Sequence, residues 1–156
     1  MVLAALAAFL AMPAMADVSA TEGWARATVP GTKVAAAYFV LTNNGDKERA
    51  LLRIASPLCD MVRIHISSVD NQGVARMWPV GKLELQPGET VRFQPNGLHV
   101  MLEGITAPFV AGQKIPLKLQ FDGGEPELTV ELEVRPLVPA AASKAGPDAA
   151  GHQNPR

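Results

Sequence analysis

The sequence predicts an all-β domain, a sandwich or barrel of short, mostly antiparallel strands. Short apolar or alternating segments recur along the chain, each closed by a cluster of Gly, Pro, Asn or Asp. The alternation has the period of two that puts one face of a strand inside and the other outside. No stretch combines helical periodicity with capping residues, and no internal repeat is visible. Strands of this length at this spacing indicate a sandwich or barrel.

The elements follow in order. Met1–Ala16 has no charged or strongly polar residue and ends Ala14-Met15-Ala16, a small-x-small pattern before Asp17. Although no Lys or Arg precedes the apolar run, it is expected to be a signal peptide, removed on export. The body then runs over residues 17–136. Ala35–Thr42 stops at Asn43-Asn44-Gly45, a turn signal. Ala50–Ala55 stops at Ser56-Pro57. Met61–Ile66 alternates cleanly and leads, through Asp70-Asn71-Gln72-Gly73, into Val74–Trp78. Leu83–Leu85, Thr90–Phe93 and Leu98–Leu102 are divided by Pro87-Gly88 and Pro95-Asn96-Gly97. Ile115–Phe121 and Leu128–Val134 flank Asp122-Gly123-Gly124. Residues 137–156 are Ala, Pro, Gly and polar residues almost throughout, so a disordered tail is expected. His152 lies there and reads as a solvated residue.

Composition narrows the function. A net charge of −1 argues against a nucleic-acid partner. No run after the leader is long enough to span a bilayer. Cys59 is the only cysteine, so no intramolecular disulfide can form. Without the leader, Met61, Met77 and Met101 are the remaining methionines, and His65 and His99 are the histidines of the body. In a chain this poor in soft donors, their placement carries information.

Alternation sorts these residues by face. Leu98, Val100 and Leu102 share one side of their strand and must face the core, which turns His99 and Met101 away from it. Val62, Ile64 and Ile66 likewise put Met61, Arg63 and His65 on the outer side. If the following hairpin centres on Asn71, His65 stands directly opposite Met77, with Cβ atoms ~4.5–5.5 Å apart. A turn shifted by one residue would separate them onto opposite faces. The same register puts Arg76 with Ile64 and Ile66, a placement that suits a core poorly. Trp78, by alternation, is expected in the core. Met61 lies two pleats from His65, ~13 Å along the strand, and suits an entry path better than direct ligation. Cys59 is expected to be a small buried residue.

Two imidazoles with two thioethers are a soft, uncharged donor set. It suits Cu(I) and suits Mg or Ca poorly. Zinc sites draw on Cys, His and carboxylates instead. A blue-copper centre needs a cysteine thiolate among its ligands, and Cys59 is not flanked as such a centre requires. Carriage of the ion is therefore favoured over redox work. No nucleophile triad, paired-carboxylate motif or phosphate loop is legible, so a non-enzyme is expected.

The spacing of these donors is His65-Ile66, ten residues, Met77, twenty-one residues, then His99-Val100-Met101. It resembles the copper-binding signature of the periplasmic copper chaperone family PCuAC. Trp24-Ala25-Arg26, Pro30-Gly31, Ala37-Tyr38, Asn43-Asn44-Gly45, Pro87-Gly88 and Gly97-Leu98-His99-Val100-Met101-Leu102 are similar to that family as well, so the resemblance covers roughly residues 23–134. Ile66 stands at the family's optional methionine, and Asn96 where glycine is frequent. The resemblance implies a cupredoxin-like β-sandwich in the periplasm that binds Cu(I) through His65, Met77, His99 and Met101. It also implies delivery of copper to the CuA domain of cytochrome oxidase or to a Sco-like assembly protein. Copper buffering without a dedicated recipient is the alternative.

Overall fold

A computed structural model describes residues 17–137. The expected signal peptide and nearly all of the expected tail, His152 included, lie outside the described residues. Within them the protein is all-β, with no helix. The strands are β1 (Val18–Arg26), β2 (Val34–Asn43), β3 (Arg49–Ala55), β4 (Met61–Val69), β5 (Ala75–Pro79), β6 (Leu83–Leu85), β7 (Thr90–Arg92), β8 (Leu98–Glu103), β9 (Lys114–Phe121) and β10 (Leu128–Arg135). They form one sheet in the order β5-β4-β8-β2-β1-β10-β9-β3-β6, with β7 pairing the far half of β2. Every pairing is antiparallel except that of β1 with β10.

Alternation builds the core. Ile115, Leu117, Leu119 and Phe121 of β9 face Val130, Leu132 and Val134 of β10 and meet Phe39, Leu41, Val100 and Leu102 from the other half of the sheet. Phe39 stacks on Phe93, ring centroids 4.4 Å apart. On the other side of β2, Tyr38 packs on Trp24 at 4.3 Å, and the Arg135 guanidinium lies 4.9 Å above the Trp24 ring.

Strand β1 was not expected as an element, and its geometry says why. Val18 is buried at one end and Ala25 at the other, an even and an odd position. A bulge between Thr21 and Trp24, with Glu22 at φ 55°, switches the inward parity. A strict period-two pattern cannot register such a strand. Gly23 fits the bulge because a Cβ there would stand 2.7 Å from the Glu131 carbonyl oxygen.

The β4–β5 hairpin sits at the edge of the sheet and carries the strongest correction. Asp70 and Val74 form the closing pair, through Asp70 N–H to the Val74 carbonyl at 3.0 Å. The loop is therefore Asn71-Gln72-Gly73, centred on Gln72. Gly73 takes φ 80° at the third loop position, as three-residue hairpins require. Moving the centre by one residue moves each partner by two. His65 consequently pairs with Pro79, and Met77 with Ser67. Parity survives, so His65 and Met77 keep the same face, contrary to the expectation that a one-residue shift would separate them.

Candidate metal centre

Strand β4 lies between β5 and β8, which places His65 directly opposite His99 as Cα partners. Their rings stack at 6.1 Å between centroids, inclined by 27°. Arg63 pairs with Met101 one step along the same face, and Met61 with Glu103 beyond that. Met101 is half-buried and Met61 exposed. Arg63 and Glu103 approach to 3.9 Å across this row.

Alternation turns His99 away from the core, yet it is only 7% exposed. It does point away from Val100 and Leu102, which are fully buried in the core. What covers it is the hairpin: the Met77 sulfur lies 3.2 Å from His99 Nε2. At the other side of the ring, His99 Nδ1 lies 2.9 Å from the Gly97 carbonyl oxygen. That carbonyl also accepts the Ser67 N–H at 3.0 Å. The turn before β8 has Asn96 at φ 62°. Asn tolerates this left-handed conformation, which explains how it stands where glycine is frequent.

His65 differs from His99 in its environment. Its Nδ1 is buried and has no hydrogen-bond partner. Such an orphaned atom costs free energy unless something satisfies it. Three soft donors thus meet here: the His65 and His99 rings across one strand pair and the Met77 thioether against His99. Two ligands of one metal ion stand roughly 3–4 Å apart, given metal–nitrogen and metal–sulfur bonds of ordinary length. The 3.2 Å between Met77 Sδ and His99 Nε2 falls in that range. Met101 joins the face through the alternation of β8, two residues from His99. The donor set and the orphaned Nδ1 fit a soft cation.

Two neighbours on the core side by alternation are not buried. Trp78 is 47% exposed and Ile66, its cross-strand partner, 43%. The side of β4 that is core at Ile64 leaves the body by Ile66, so alternation persists while burial ends. The same fact resolves Arg76, which pairs with Ser68 beyond the core and reaches Asp70 at 3.7 Å. Cys59 is only half-buried, and burial pushes its thiol above the ordinary range. A thiol so shifted is less of a thiolate and a weaker nucleophile. Among the described residues, no group of three or more His, Cys, Asp and Glu could hold a metal. The methionines make this a site of different chemistry from such clusters.

A family described as "Putative lipoprotein LpqE-like" matches residues 18–134. The chain is 27% identical to Lxx21020 of Leifsonia xyli subsp. xyli, also named as a lipoprotein, over 69% of its own length. It is 31% identical to RP573 of Rickettsia prowazekii over 71% of its length. The match spans 63% of each of these two relatives. Among solved structures, it is similar to a copper-bound PCuAC domain from PmoF2, with TM-score 0.64 and 23% identity over 77% of this chain and 93% of that one. It is similar also to apo-DR1885 from Deinococcus radiodurans, with TM-score 0.59 and 28% identity over 88% and 91%. The Cu(I) form of DR1885 matches with TM-score 0.58 and 27% identity over 79% and 80%.

Proposed function

The chain belongs to the LpqE-like family, related to the PCuAC copper-binding domains whose cupredoxin-like fold it shares, and from that premise we propose that it is an exported copper chaperone. It binds Cu(I) with His65, Met77, His99 and Met101 and hands the ion to a recipient. The observation that carries this reading is the meeting of His99 Nε2 and Met77 Sδ at 3.2 Å, with His65 across the strand pair. Similarity to DR1885, known in a Cu(I) form, supports copper as the ion. The lipoprotein names in the family support export. Among the described residues, no helix is long and apolar enough to cross a membrane.

The site suits carriage. Its ligands are neutral, so release requires no reprotonation of a thiolate. Met77 is 51% exposed and stands on an edge hairpin. A recipient can displace it first, before the buried His99 is approached. The proposed recipient is an apo CuA domain of cytochrome oxidase or a Sco-like protein, in the periplasm. The test is the rate of Cu(I) transfer against recipient concentration, with loss to a chelator as control. The expected rate rises with recipient concentration and exceeds dissociation. A rate that stays flat and equals dissociation would make the protein a copper buffer.

A further inference from the structure

Resting on the copper reading above, we infer that the two histidines present opposite ring nitrogens to the ion. His65 binds through Nδ1 and His99 through Nε2, and the Gly97 carbonyl sets the second choice.

The argument for His99 begins with the carbonyl. A carbonyl oxygen only accepts, so the Nδ1 at 2.9 Å from Gly97 must carry the proton. In the neutral ring, Nε2 is then a bare lone pair. The Met77 thioether 3.2 Å away has no proton either. This contact is therefore not a hydrogen bond. In the neutral ring it is two lone-pair donors facing one another, an arrangement that a shared cation satisfies. The turn fixes it: the Gly97 carbonyl is anchored by the Ser67 N–H at 3.0 Å, and Asn96 just before it takes φ 62°. Because Ser67 is the cross-strand partner of Met77, one short network positions both the ring and the thioether.

His65 has no such anchor. Its Nδ1 is the buried, unpartnered atom. Orphaned buried N–H groups are rarer than under-used acceptors, so the proton belongs on Nε2 and the buried Nδ1 keeps its lone pair. The two rings, stacked across the β4–β8 pair, thus contribute a δ and an ε nitrogen. The asymmetry follows from the strand pair: only one of the two histidines has a turn carbonyl within reach.

Two measurements test the assignment. Long-range proton–nitrogen NMR of the apo protein at mildly alkaline pH should show His99 protonated at Nδ1 and His65 at Nε2. His65 protonated at Nδ1 would overturn the inference whether or not copper binds. Methylhistidines are then placed singly at each position, and Cu(I) affinity is measured anaerobically against a chelator. Methylation of Nδ1 at position 65 should weaken binding by about 100-fold or more, as loss of a ligand does, and methylation of Nε2 there by less than about 5-fold. At position 99 the order reverses: Nε2-methylation removes the ligand, and Nδ1-methylation costs about 10–100-fold through the lost carbonyl contact. If the unmodified protein binds Cu(I) but the pattern at position 65 is inverted, the assignment alone falls. If the unmodified protein takes up no Cu(I), the function proposed above falls with it.

Discussion

His99 is anchored through Nδ1 by the Gly97 carbonyl and faces the Met77 sulfur through Nε2, while Met77 itself is half exposed. The two side chains therefore differ in what they do for folding. Replacing Met77 by alanine should change the stability of the apo protein by less than about 0.5 kcal/mol, the range for surface sites. His99→Ala should cost about 1–2 kcal/mol, because a buried side chain and its hydrogen bond to Gly97 are lost. Both should lower Cu(I) affinity by at least about tenfold. Denaturant unfolding and chelator competition on the same samples check this, and equal stability losses would contradict the placement of Met77 on the rim. The donor types and their outward faces were legible from alternation. The burial of His99 was not, since a strand pattern tells which side a residue faces and not what lies over that side. Trp78 shows the converse, a residue on the core side of a hairpin that has outrun the core.

The hairpin β4–β5 is the element that brings Met77 to His99, and its register depends on one loop. Gly73 sits at φ 80° with nothing within 4 Å of where a Cβ would be. Gly73→Ala therefore meets no steric obstacle and should cost about 1–2 kcal/mol through backbone strain alone. Cu(I) affinity should fall with it, because the loop sets the distance between Met77 and β8. Asn96→Val should act similarly by straining the turn that aims the Gly97 carbonyl, whereas Asn96→Gly should leave both stability and affinity nearly unchanged. An Asn96→Gly variant that lost copper would show that the Asn side chain, not the turn, matters. The correct register was available in the sequence: glycine belongs at the third position of a three-residue loop, which selects Asn71–Gly73 over a loop centred on Asn71. Strand β1 was less accessible, because its bulge at Glu22-Gly23 moves the inward residues from Val18 to Ala25 and erases the alternation.

At the scale of the molecule, one sheet must close around one core, and polar contacts far from the proposed metal site hold its ends. Arg49 of β3 bridges Asp17, just before β1, and Glu125, in the turn before β10, at 3.3 Å from the latter. Hydrogen bonding with Glu125 and with Arg49 holds the Asp17 carboxyl below its ordinary range. A lowered folded pKa means stability present above the unfolded value and lost as pH falls through the folded one. Asp17→Asn should therefore be less stable than the parent at neutral pH, with the difference shrinking below about pH 4. A gap that stays constant on acidification would contradict the bridge. The parallel pairing of β1 with β10, which lets a single sheet run from β5 to β6, was not legible, since partner choice between distant strands leaves no local mark. None of this architecture matters to function unless four neutral donors meet one ion. The most direct test is X-ray absorption at the copper edge of the protein loaded anaerobically with one equivalent of Cu(I). A shell of mixed sulfur and nitrogen scatterers, losing sulfur in Met77→Ala and Met101→Ala and nitrogen in His65→Ala and His99→Ala, is the result expected. A shell of nitrogen and oxygen alone, unchanged in the methionine variants, would contradict it.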